Sequence, residues 1–329
     1  MAHALRWPIS VVRAIECSLA LFALLATSAC TARLPFAHHA RSSQPAPIDE
    51  LVEPNPDIAA RDLYYGVGGA ENAPPPGAGF RFLERDTSGM STNFELEDAQ
   101  GRRWDAKFGR EARSEVAASR LLWAIGFHQP PVYYQASWRI TSGKETGEQR
   151  PARLRLEQAS WKKGGSWAWD DNPFVGTREL HGLVVMMAIL NSWDLKTSNN
   201  KIYEVSGGRL PRVYVVKDLG ESLGRSVNLF LGSESNLEQF LHERFIRDVE
   251  KDGRVHLYYK PMLLSRSVEH DLTVDDVLWT CGRLARLSER QWRDAFRAGG
   301  YNDAEVTAYV DRVKDKMRDG LALADRPRV

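Results

Sequence analysis

With 329 residues, 43% of them hydrophobic and 26% charged, the chain has an ordinary globular composition and the length for one two-lobed domain or two small ones. Its 44 Lys and Arg against 43 Asp and Glu leave a net charge of +1, without a basic stripe interleaved with aromatics, which argues against a nucleic-acid partner. Three cysteines, and no His/Cys cluster at metal-ligand spacing, argue against a disulfide framework and a structural zinc site.

In chain order, Arg6 and Arg13 precede an apolar run at 19–26 that is too short to span a membrane as a mature helix. The run ends in Thr27-Ser28-Ala29-Cys30, which resembles a bacterial lipoprotein signal. The resemblance implies loss of residues 1–29, acylation of Cys30, and an exported, membrane-anchored protein facing the periplasm or the cell exterior. Thr27 stands where leucine is usual, and simple cleavage near Ala29 is the alternative. Cys17 would then be removed, and Cys281 reads as a small core residue on a helix. Residues 30–58, with Pro45, Pro47, Pro54 and Pro56, read as a flexible tether.

A small β-rich lobe is expected over 59–160. Gly66 to Gly77 reads as a connector, and Thr87 to Thr92 as a turn of hydroxyls with one glycine. The alternating runs 94–97 and 104–108, separated by Asp98-Ala99-Gln100-Gly101, predict a hairpin that carries Lys107 in its second strand. Val116, Leu121, Leu122 and Ile125 at helical spacing predict a helix from Arg110 to Ile125, stopped by Gly126, with Glu111 and Glu115 on one face. One of these glutamates should pair with Lys107, and Glu115 is favoured. A further strand is expected over 152–157.

A larger, mainly helical lobe is expected over 161–329. Trp161, Trp167 and Trp169 lie in a predicted loop at 161–171, where tryptophans more often pack than stack on a base. A buried helix at 174–190 leads to Asp194, and His181 on it reads as a core or surface residue. Strands at 201–205 and 212–216 form a hairpin, and Lys217-Asp218-Leu219-Gly220 follows. Helices are predicted at about 236–249, 273–286, 288–298 and 303–319, with Ser288-Glu289-Arg290-Gln291 as a capping box.

Asp194-x-Lys196-x-x-Asn199, then an apolar strand ending in Asp218-x-Gly220, resembles the protein-kinase-like superfamily. The likeness is to the divergent branch of HipA-type and phosphoinositide kinases. It implies an α+β, bilobal fold and transfer of the γ-phosphate of ATP to a hydroxyl of a protein, sugar or lipid. It implies Asp194 as base and Lys196 beside the transferred phosphoryl group. Asn199 and Asp218 would be ligands to Mg2+, a cation that prefers hard oxygen donors. Lys107 and Glu115 would form the phosphate-binding pair, and Ser88 and Gly89 would offer backbone amides to the phosphates. The Gly-x-Gly-x-x-Gly loop, the His-Arg before the catalytic aspartate and the Ala-Pro-Glu element are missing. Because ATP is scarce outside the cytoplasm, the alternative is an inactive kinase-fold nucleotide-binding or scaffold lipoprotein of the cell envelope.

Overall fold

The computed structural model describes residues 46–87, 93–225, 234–261 and 271–326, all within one compact unit. Strands β1 (Ala78–Asp86), β2 (Asn93–Glu97), β3 (Arg103–Phe108), β4 (Val132–Gln135), β5 (Trp138–Ser142), β6 (Gly147–Gln149) and β7 (Ala152–Leu156) form one sheet in the order β4-β7-β3-β2-β1-β5-β6. Only the β1–β5 pair is parallel among these ladders. Side chains alternate along a strand. Phe94, Leu96, Trp104, Ala106, Leu154 and Leu156 accordingly build the sheet's own core. The residues between them, Glu95, Asp105, Lys107, Arg153 and Arg155, occupy the opposite face. Register sets Asp105 against Arg155 and Lys107 against Arg153.

After a short helix α1 (Gly69–Asn72), α2 (Glu111–Ala124) follows β3 directly. Its apolar face joins the large core built from α3 (Arg178–Leu190), α5 (Val274–Leu284), α6 (Glu289–Arg297) and α7 (Asp303–Leu321). Arg113 fastens α2 from the other side: it donates to the Gly300 carbonyl at 3.1 Å and to Glu305 at 2.6 Å, and lies 4.0 Å over the Tyr301 ring. The helix beside Lys107 is therefore packed on the helical lobe. The α+β, two-lobed arrangement expected from the sequence is the one observed, with a β-sheet lobe and a helical lobe.

Helix α3 starts where Thr177 caps it, its hydroxyl accepting from the Leu180 amide at 3.2 Å. It ends where Asn191 turns left-handed at φ 52°. Lys316 of α7 is fully buried and donates to the Ile189 carbonyl at 3.0 Å and to the Asn191 amide oxygen at 2.8 Å. These bonds satisfy acceptors at a helix terminus that would otherwise be orphaned. They also fix the exit of the chain toward Asp194. A second sheet, β8 (Trp161–Gly165), β9 (Asn200–Val205) and β10 (Arg212–Val216), runs in the order β10-β9-β8.

The structure corrects four expectations. The packed chain begins well before residue 59, because Leu51, Val52 and Ile58 are buried in the large core. Gln291 holds that segment by donating to the Ile58 and Arg61 carbonyls at 2.6 and 2.9 Å. The expected loop at 161–171 contains β8, whose register shifts between Lys163 and Gly165 to accommodate its glycines. The helix expected from Phe174 begins at Arg178, since Asn172 first holds a turn by accepting from the Phe174 amide at 2.8 Å. The helix expected over 236–249 is only α4 (Leu237–His242); Glu243 is extended, and Ile246–Val249 becomes β11, paired with β12 (Val255–Leu257) across a turn at Gly253. The capping box at Ser288 forms as expected. Cys281 is a buried core thiol, pushed up to about 12 by burial.

Candidate active site

Lys107 is 4% exposed, and its ammonium reaches the two oxygens of Asp218 at 2.9 and 3.1 Å. The lysine arrives from β3 and the aspartate from just beyond β10. Their contact spans the cleft between the lobes. On the other side of the cleft floor, the Asn199 carbonyl accepts from the amides of Lys217 and Asp218 at 2.8 and 3.3 Å, closing the β9–β10 hairpin. The Asn199 side chain donates to the Asp194 carbonyl at 2.9 Å and to its Oδ2 at 3.1 Å. Lys196 donates to the same oxygen at 3.0 Å and is 40% exposed. Lys107, Asp218, Asn199 and Asp194 thus form an unbroken chain of contacts. Ser88 and Gly89 lie outside the described residues, as does Cys30.

The expected lysine–glutamate pair takes a different form. Glu111, one turn earlier on α2, makes the close contact with Lys107, while Glu115 stands 3.7 Å away. Glu115 is held instead by Arg153, at 2.9 Å, and by Arg155. Both arginines come from the cleft face of β7, and Arg153 also pairs with Asp105. Neither arginine was singled out in the sequence. Their alternation in β7 was the available signal, but only the β3–β7 register shows that they face Glu115.

Charge in this cluster sets the ionisation. Burial works against the Lys107 ammonium, but Glu115, Asp218 and Glu111 outweigh it and raise its pKa. Burial likewise opposes the Asp218 carboxylate, yet Lys107, Arg155 and the Gly220 amide hold it down at about 2. Lys217 goes the other way, lowered to about 7 by Arg155 and by burial. Glu221 is pushed up to about 8, first by burial and then by Glu111, Glu234 and Asp194. Gly220 fits tightly here: a Cβ on it would stand 2.7 Å from a Glu111 carboxylate oxygen and 2.8 Å from the Glu111 Cβ.

The donors suit a hard divalent cation. Asp218 offers a charged carboxylate, and the Asn199 amide oxygen accepts no hydrogen bond among the described residues. Asp194 Oδ1 is also buried without a hydrogen-bond partner. Among the described residues no group of three or more His, Cys, Asp or Glu side chains could hold a metal. A cation at Asn199 and Asp218 would complete its shell with ligand oxygens and water, as Mg2+ usually does. Trp167 and Trp169 are buried and pack against each other with ring centroids 5.1 Å apart, whereas Trp161 lines the cleft beside Tyr203. His181 bonds Asp276 at 3.0 Å and has no part in the cleft.

Among solved structures the chain is similar to a Helicobacter pylori proinflammatory kinase, CtkA, at 12% identity and a TM-score of 0.47, over 76% of this chain and 99% of that one. It is also similar to the Golgi casein kinase with manganese and ADP bound, at 10% identity and a TM-score of 0.36, over 77% and 74% of the two chains. No family model matches the chain, and no curated protein matches it. At such identities and TM-scores the likenesses carry no argument about the site, which stands on its own distances.

Proposed function

We propose that this chain is a kinase-type phosphotransferase that moves the γ-phosphoryl group of a nucleoside triphosphate, ATP by the sequence resemblance, to a hydroxyl acceptor. The observation that carries this reading is the contact chain from Lys107 through Asp218 and Asn199 to Asp194. Phosphoryl transfer asks a protein for positioning and charge neutralisation more than for covalent chemistry. Lys107 would hold the α- and β-phosphates, with Glu111 and Glu115 keeping it charged and in place. Asp194 would orient the acceptor hydroxyl and take its proton as the oxygen attacks the γ-phosphorus and the bond to the β–γ bridging oxygen breaks. Lys196, already at the Asp194 carboxylate, would face the transferred group. Mg2+ held by Asn199 and Asp218 would neutralise phosphate charge.

The test is transfer of label from γ-labelled nucleotide to the protein itself or to added acceptors. Asp194→Ala should abolish transfer while nucleotide still binds. Binding with no transfer by the unaltered protein would leave a kinase-fold binding or scaffold protein. Export and acylation at Cys30 belong to the same proposal: labelled palmitate should enter the protein expressed in bacteria and be lost in Cys30→Ser. Among the described residues no helix is long and apolar enough to cross a membrane.

A further inference from the structure

The loop that carries Asp194 and Asn199 and the segment that follows Asp218 are tied together at two places. One tie is in the cleft, where the Asn199 carbonyl accepts from the Lys217 and Asp218 amides. The other lies in the interior of the helical lobe, at Asn191, just before Asp194 in the chain. Asn191 is 1% exposed, and both ends of its side-chain amide are engaged. Its Oδ1 accepts from the Lys316 amine at 2.8 Å, and its Nδ2 donates to the Gly224 carbonyl at 2.7 Å. Beside it, the Leu223 amide donates to the Leu190 carbonyl at 2.8 Å, and the Leu223 carbonyl accepts from the Tyr309 hydroxyl at 3.3 Å. Capping the carbonyl end of α3 accounts for the bond from Lys316 to Ile189, but not for the continuation through Asn191 to Gly224. Two features mark that continuation as costly to build. Lys316 is fully buried and makes no ion pair among the described residues, and burying such a group is unfavourable unless its hydrogen bonds are completed. Leu223 is held left-handed at φ 60°, a region that a leucine enters only when its surroundings over-determine it.

We propose that Lys316 and Asn191 are positioning residues, which fix Asp194 relative to Asp218 through the bond to Gly224. This rests on the kinase-type reading above. A single tie in the cleft would let the two loops pivot about it; the second, buried tie removes the pivot. Phosphoryl transfer is sensitive to such drift, since a misplacement of about 1 Å can cost about a hundredfold in rate. Nucleotide binding depends instead on Lys107 and Asp218, whose contact is made across the cleft and without Asn191. Loss of the buried tie should therefore slow transfer and leave binding nearly intact.

The experiment follows γ-labelled ATP with Mg2+ on the full-length chain, counting label on the protein and as phosphate released to water, with the nucleotide Kd titrated in parallel. Each protein is assayed well below its own melting temperature. Asn191→Gly keeps the left-handed turn and removes the bridge; Lys316→Met removes the donor and keeps the apolar stem. Both should lower the turnover rate by about tenfold to a hundredfold while the Kd stays within about threefold. Because the lysine acts through the asparagine, the double variant should turn over no more slowly than Asn191→Gly alone. Asn191→Asp keeps the acceptor for Lys316 and loses only the donor to Gly224; it should show the same split, and it decides the matter if the other variants fail to fold. Gln291→Leu is the control for stability alone: it loses two buried bonds, to the Ile58 and Arg61 carbonyls, and should melt earlier with its turnover rate retained. Turnover in the Asn191 variants equal to that of the unaltered protein, or an equal fall in Gln291→Leu, overturns the positioning role and leaves the kinase-type reading standing. Absence of turnover by the unaltered protein overturns both.

Discussion

Replacing Glu115 by Gln perturbs the buried charge cluster at its most enclosed point. The carboxylate is 1% exposed and answers three cations: Arg153 at 2.9 Å, Arg155, and Lys107 at 3.7 Å. Glutamine keeps the shape and removes the charge. Breaking a buried ion pair from one side costs about 3–5 kcal/mol, because the remaining charges stay desolvated. Asp105 and Asp218 retain part of the compensation for the arginines and the lysine, so the lower end, about 3 kcal/mol, is expected. For a domain this large each kcal/mol lowers the melting temperature by about 2–4 °C, which gives a drop of roughly 6–12 °C. Glu111→Gln is the internal comparison: its side chain is 20% exposed, water can replace part of what is lost, and the cost should be about 1 kcal/mol. Scanning calorimetry at neutral pH and low salt reads both. If Glu115→Gln melts with the unaltered protein, or Glu111→Gln proves the more damaging, Glu115 is not the hub of the cluster and the reasoning fails.

Glu221 gives a pH signature. Its folded pKa is raised, from 4.5 to about 8, so its contribution to stability is present below the unfolded value and is lost as pH rises through about 8. Glu221→Gln should leave the unfolding free energy unchanged near the acid end of that window and raise it at alkaline pH by on the order of 2 kcal/mol, discounted for partial solvent access; parallel urea titrations across the window check this, and identical pH profiles would contradict it. Gly220→Ala forces Glu111 or the backbone after Asp218 to move, and should cost about 1–3 kcal/mol and weaken nucleotide binding, read by thermal melts with and without ligand.

What the sequence made legible follows the range of the forces involved. The β2–β3 hairpin, α2 and the β9–β10 hairpin show local periodicities of two or 3.6, and their side chains declare their faces within a few residues. That was enough to place Lys107, Asp194, Asn199 and Asp218 on converging elements. Arg153 and Arg155 alternate just as plainly, but their meaning depends on β7 lying beside β3, a pairing between segments far apart in sequence. The proline-rich stretch before residue 59 has the composition of a tether, yet Leu51, Val52 and Ile58 fill grooves on a surface that exists only after the helices pack. At 236–249 the apolar spacing of Leu237, Phe240 and Leu241 is helical; Phe245 and Val249 extend it by coincidence, and pairing with Val255–Leu257 decides for a strand.

In the proposed function, Lys107, Asn199 and Asp218 together form one triphosphate-binding site. Thermal unfolding with Mg2+ and a saturating nucleoside triphosphate, either GTP or ATP, tests it most directly. The melting temperature should rise with nucleotide concentration only when Mg2+ is also present, and the rise should disappear in Asp218→Ala. A rise that persists in that variant, or no rise with either nucleotide, would contradict it.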